Sequence, residues 1–150
     1  MSMTIEQQFV EAFITDDKKQ RLMGFFRSSK ARWKGLLELE HFHADIIDAR
    51  YAHPVSRNDS SPERIIQLLR QRGAPSNCYV FSNCKEMDQQ LMPLERAIHK
   101  IHGIGIGSIV SLIPGQLAFY EGESYPDQFV LERKPKDESG GSPSKVPVSR

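Results

Sequence analysis

Apolar residues recur at helical spacing through the first half of the chain and gather into short runs in the last third. Ile5, Phe9, Val10, Phe13 and Ile14 form a 3.6-residue stripe behind Thr4, a residue suited to capping, and predict a first helix. Asp16 and Asp17 open a second over KKQRLMGFF, with Leu22, Met23, Phe25 and Phe26 as its apolar side. The next segment, ARWKGLLELEHF, fits two periods. Trp33, Leu36, Leu37 and Leu39 suit a helix, whereas the alternation Leu37-Glu38-Leu39-Glu40 suits a strand. Ser28 and Ser29 offer a cap, and no turn residue intervenes before His41, which favours a helix over 31–42.

From Asp45 to Ser61 breakers and cap residues dominate, and the segment reads as irregular. Ser61-Pro62-Glu63 is a helix start with proline at its first position. The helix carries Ile65, Ile66, Leu68 and Leu69, and Gly73 closes it. Cys78-Tyr79-Val80-Phe81 reads as a strand, and Pro93 opens a helix, PLERAIHKIH, ended by Gly103. IGIGSIVSLI (104–113) puts Ile104, Ile106, Val110 and Leu112 on one face of a strand. Pro114-Gly115 turns it into QLAFYE (116–121), and a second turn, SYPDQ, leads to FVLER (129–133).

This order predicts an α+β fold. N-terminal helices precede a small mixed β-sheet with a strand-helix-strand crossover and two C-terminal hairpins. The crossover pair, 78–81 and 104–113, is expected to be parallel, and the helices to give a two-layer domain. A single domain over 1–133 is expected. Residues 134–150, with three prolines, two glycines, four serines and no aromatic, are expected to be a disordered tail.

Composition narrows the function classes. The chain has 150 residues and a net charge of +1, which excludes a uniformly basic nucleic-acid binder and an acidic disordered chain. No run approaches the length of a membrane span, and no membrane partner is expected. The start, MSMTIEQQFVEAF, lacks the basic region of a secretory signal, so the expected compartment is the cytoplasm, with Cys78 and Cys84 as free thiols. The neutral total hides unlike segments. Residues 18–34 hold seven basic and no acidic residues: Lys18, Lys19, Arg21, Arg27, Lys30, Arg32 and Lys34. Phe25, Phe26 and Trp33 are interleaved. Such a stretch suits a protein partner, or is simply a solvated face. Phosphate binding with base stacking is the lesser reading. Glu38, Glu40, Asp45 and Asp48 follow and are placed to neutralise part of it. Phe9, Phe13, Phe25 and Phe26 serve either a core or a face between copies of the chain.

Three clusters carry candidate chemistry. His41-Phe42-His43-Ala44-Asp45, with His53 downstream, would present two imidazoles and a carboxylate on one side of an extended backbone. That ligand set suits Zn²⁺ or Fe²⁺ with a position open for water, and hence hydrolysis. On a helix His41 and His43 diverge by about 200°, and a histidine at a helix C-terminus is the bland alternative. His99 and His102, three apart before Gly103, either cap their helix or share a ligand. Gly103, Gly105 and Gly107 follow a helix rather than precede one, so they are not a dinucleotide fingerprint. Gly105 and Gly107 would instead accept a closely packed helix or line a ligand groove near Cys84. No G-x-S-x-G nucleophile motif occurs. The expected function is a non-catalytic binding or protein-interaction domain. The alternative is a metal-dependent hydrolase using the His-x-His-x-Asp run.

Overall fold

The first helix, α1 (Ile5–Phe13), begins where a capping box can form. Gln7 N–H donates to the Thr4 hydroxyl, and Thr4 N–H donates to the Gln7 side chain. In this computed structural model, which describes residues 2–124 and 127–135, α2 (Asp16–Arg27) follows, with aspartates in its first turn and Arg27 in its last. The ambiguous segment is a helix, α3 (Arg32–Ile46), interrupted at Phe42, where φ −124° and ψ 21° kink it. After a short strand, β1 (Ala52–Pro54), comes α4 (Pro62–Gln71), capped by the Ser61 hydroxyl and closed by Gly73 at φ +96°. Then come β2 (Asn77–Ser82), β3 (Gln90–Pro93), α5 (Leu94–Ile101), β4 (Ser108–Ile113), β5 (Leu117–Glu121) and β6 (Gln128–Glu132).

The six strands form one sheet in the order β1-β6-β5-β4-β2-β3, with every pair antiparallel. Side chains alternate between its two faces. Tyr79, Phe81, Ile109, Ala118, Tyr120, Phe129 and Leu131 meet α1, α2 and α3 through Phe9, Phe13, Leu22, Phe26, Leu36 and Leu39. Cys78, Val80, Val110, Leu112, Leu117, Phe119 and Val130 meet α4 and α5 through Ile65, Ile66, Leu69, Ala97, Ile98 and Ile101. All five residues of β5 are buried because helices cover both faces at its position. Phe9, Phe13 and Phe26 are core residues, and Phe25 is half-buried.

The α+β class, the N-terminal helices and the two C-terminal hairpins stand as expected. The parallel pairing does not. β2 and β4 are antiparallel, with Val80 opposite Val110. The reason is β3, four residues with no alternating pattern, which reverses the chain before α5. The strand-helix-strand crossover therefore runs β3-α5-β4, with β2 between the two strands it joins. The expected two layers are three, with the sheet in the middle. β4 starts at Ser108, not residue 104, because Gly103 and Gly105 adopt φ of +74° and +75° and keep the chain in a loop. The irregular stretch 45–61 contains β1, which extends the sheet beside β6. The expected tail lies outside the described residues from 136 onward.

Candidate functional site

Helix α3 carries polar assemblies at both ends. At its N-terminal end Arg32 turns inward and donates to Glu6 of α1 (2.7 Å) and to both carboxylate oxygens of Asp88 in the β2–β3 loop. Tyr79 of β2 donates its hydroxyl to the same Glu6 oxygen (2.7 Å), and Asp88 also accepts the Ser82 N–H (3.0 Å). Glu6 is 5% exposed, so these bonds replace the water its carboxylate lost. Burial pulls the Arg32 guanidinium down, but the bonds and charges of Asp88 and Glu6 outweigh it and leave the group above its ordinary value. Burial, then the bond to Glu6, raises the Tyr79 phenol, which stays protonated.

Beside this network lies a groove of about 360 Å³, lined by Ser29, Arg32, Trp33, Asn83, Lys85 and Gln89 among others. Trp33 is 54% exposed, and Lys34 Nζ stands 5.8 Å from its ring centroid. The basic stretch divides around it. Lys19 pairs with Glu11 and Asp16, Arg21 with Glu38, and Arg32 is internal. Arg21 also lies over the Phe25 ring. Among the described residues, Lys18, Arg27, Lys30 and Lys34 have no carboxylate within ion-pair distance. Seven aligned cations thus become three neutralised and four free, of which Arg27, Lys30 and Lys34 are well exposed.

At the C-terminal end the kink at Phe42 separates His41 from His43. His41 Nδ1 meets Glu123 Oε1 at 2.9 Å. His43 Nε2 meets Asp127 Oδ2 at 2.8 Å, and its Nδ1 lies 3.2 Å from the Tyr120 hydroxyl, which donates to the Leu39 carbonyl at 3.0 Å. The His43 ring packs against both Tyr120 and Phe129, with centroids 4.9 and 6.0 Å away. It borders an apolar recess of about 270 Å³ shared with Ala44, Ile47, Ala52 and Pro54. Burial, then the negative charges of Asp127, Glu40 and Glu123, hold the Tyr120 phenol protonated. Asp45 is exposed beside Lys18, Arg21 and Phe42, and His53 is exposed on β1. The four residues of the His-x-His-x-Asp expectation therefore stand in four surroundings. His41 instead stands with Glu40 and Glu123, whose donor atoms all lie within 4.8 Å of one another. His99 and His102 also separate, toward Glu63 (3.6 Å) and Glu121 (3.7 Å).

Gly107 takes the backbone of α3. A Cβ there would meet Glu40 Cα at 2.9 Å, so the glycine admits the helix instead of opening a groove. Gly105 is exposed, with open space beside it apart from the Glu123 carbonyl. Cys84 is half-buried, its N–H bonded to the Ser82 hydroxyl (3.0 Å).

The residues that complete these assemblies, Glu6, Asn83, Asp88, Tyr120, Glu123 and Asp127, went unmarked by spacing. Glu6 alone left a trace: it falls on the apolar stripe of α1, one turn before Phe9 and Val10, where a charge needs a partner. The others come from loops and from β5, whose register only the folded sheet sets. No family model matches the chain, and no curated protein and no solved structure matches it either. What fold and site define is a three-layer α+β domain with helix α3 at its polar seam.

Proposed function

We propose that the chain is a non-catalytic binding domain that holds an acidic segment of a protein partner along α2, the first turns of α3 and the loop after β2. One observation carries this proposal: the single tryptophan of the chain stands half-exposed on a groove that Lys85 lines, with Lys34 beside its ring. Tryptophan is among the residues that anchor interfaces, while charged residues such as lysine belong to the polar rim around the anchor. Lys30, Lys34 and Lys85 supply charge complementary to aspartate and glutamate, and Trp33 supplies apolar area that water now covers. Arg32 fixes the groove wall and contributes shape, since its own charge is spent on Glu6 and Asp88.

Trp33 is also the reporter. A peptide of alternating glutamate and leucine, titrated into the full chain, should change its fluorescence and saturate, with an affinity that falls as salt rises. A lysine-leucine peptide of the same length should not. Charge reversal at Arg27, Lys30 and Lys34 should weaken the acidic peptide at least tenfold and leave the far-ultraviolet dichroism unchanged. If the acidic peptide leaves the fluorescence of Trp33 unchanged, or if reversal does not weaken it, the proposal fails.

A further inference from the structure

We infer that Glu40, His41 and Glu123 form a binding site for one divalent transition-metal ion at the C-terminal end of α3, independent of the partner surface at its other end. Three donors of mixed chemistry meet there: one imidazole nitrogen and two carboxylate oxygens, each from a different residue, all within 4.8 Å of one another. In a tetrahedral site with bonds of about 2.1 Å the donors stand about 3.4 Å apart. His41 Nδ1 and Glu123 Oε1, now 2.9 Å apart, need only open slightly, and both side chains are exposed enough (46% and 40%) to do so by rotation.

The third donor is the fixed one. Asn83 donates its amide to Glu40 Oε1 (2.6 Å), leaving the second oxygen of that carboxylate for another partner. Gly107 seats the Glu40 backbone by close approach, so the carboxylate is held from two sides before any ion arrives. A surface ion pair such as His99 with Glu63 has no comparable support from other elements. Two ionised carboxylates balance a divalent charge. The imidazole selects ions of the zinc, cobalt or nickel type over magnesium and calcium, which prefer oxygen. The two exposed donors leave the remaining coordination positions facing solvent.

The probes are Zn²⁺ and Co²⁺ added to the full, untagged chain, read by calorimetry and by the visible absorption of bound Co²⁺. One ion per chain is expected, undiminished by equimolar Mg²⁺. His41→Ala and Glu123→Gln should each weaken Zn²⁺ at least tenfold and abolish the cobalt band. Gly107→Ala should weaken it by displacing Glu40, although none of the three donors is changed. His99→Ala, which removes an equally exposed histidine beside a glutamate, should leave affinity unchanged. The inference is overturned if neither ion binds in the millimolar range, or if His99→Ala and His41→Ala weaken binding alike. It is equally overturned if Glu123→Gln leaves the cobalt band intact. Thermal melts without metal check that each variant folds.

Discussion

The two faces of the sheet are built from different chemistry. Against α4 and α5 the core is hydrocarbon and sulfur, Ile65, Ile66, Leu69, Ile98, Ile101, Val110 and Phe119 with Cys78 and Met87, and its buried strand polar groups stand in one row across the sheet, Ser82, Ser108, Glu121 and Gln128. Against α1, α2 and α3 an aromatic core of Phe9, Phe13, Phe26 and Phe81 shares its space with Glu6, Arg32, Tyr79, His43 and Tyr120. The first face needs burial and the pairing of that one row, where Gln128 and the Gly103 N–H both donate to Glu121. The second needs burial and the pairing of every polar group it encloses, because an unpaired buried charge costs far more than an exposed one. The helices reflect the difference. α4 and α5 have clean apolar stripes, while α3 exposes Trp33 and Phe42 and half-buries Arg32, and so reads ambiguously as a sequence.

Truncating the aromatic core on either face should give the largest effect. Phe81→Ala and Phe119→Ala, one from each face, should each cost about 3–5 kcal/mol in urea unfolding, because both side chains are buried and would leave cavities. A loss below about 1 kcal/mol for Phe119→Ala would mean that the α4–α5 layer is not a true second core. The polar seam should come next. Arg32→Met strands Glu6 and Asp88 and should cost about 3 kcal/mol, somewhat less if water reaches Asp88. Adding Glu6→Gln and Asp88→Asn should recover more than half. If the triple variant is no better than the single one, the charges were not what Arg32 was holding.

The smallest effect concerns the thiols. Burial pushes Cys78 up to about 12, so its folded form favours the neutral thiol. The stability that the neutral thiol contributes is whole below the ordinary thiol value of about 8.5. It is lost as pH rises from there toward about 12. At pH 8 a thiol reagent should count one cysteine, the half-buried Cys84, and should count two only in denaturant. Two rapid equivalents at pH 8 would place Cys78 outside the apolar layer.

Much of the local structure could be read before any fold was known. Thr4, Ser61, Gly73, Gly103 and Gly115 start or stop elements by side-chain bonds and backbone preferences that act over three or four residues, and the structure places them in those roles. β3 could not be read, because four residues of sheet edge, Gln-Leu-Met-Pro, bury almost nothing and carry no period. With β3 hidden, the direction of β4 relative to β2 was inverted in the expectation.

The candidate sites were legible in part. Trp33 and the cations around it stood out as a group, and His41 as one member of a ligand set. Which cations stay free depended on Glu6, Glu11, Glu38 and Asp88 arriving from elsewhere in the chain. Which carboxylates face His41 depended on β5 and on the kink at Phe42. The sequence by itself determined the elements and their apolar faces, because propensity, capping and periodicity act over one or two turns. Only the tertiary structure decided the pairing of charges and the company of each histidine. Some of those contacts join residues more than 80 positions apart along the chain, as His41 and Glu123 are, and no local preference encodes them.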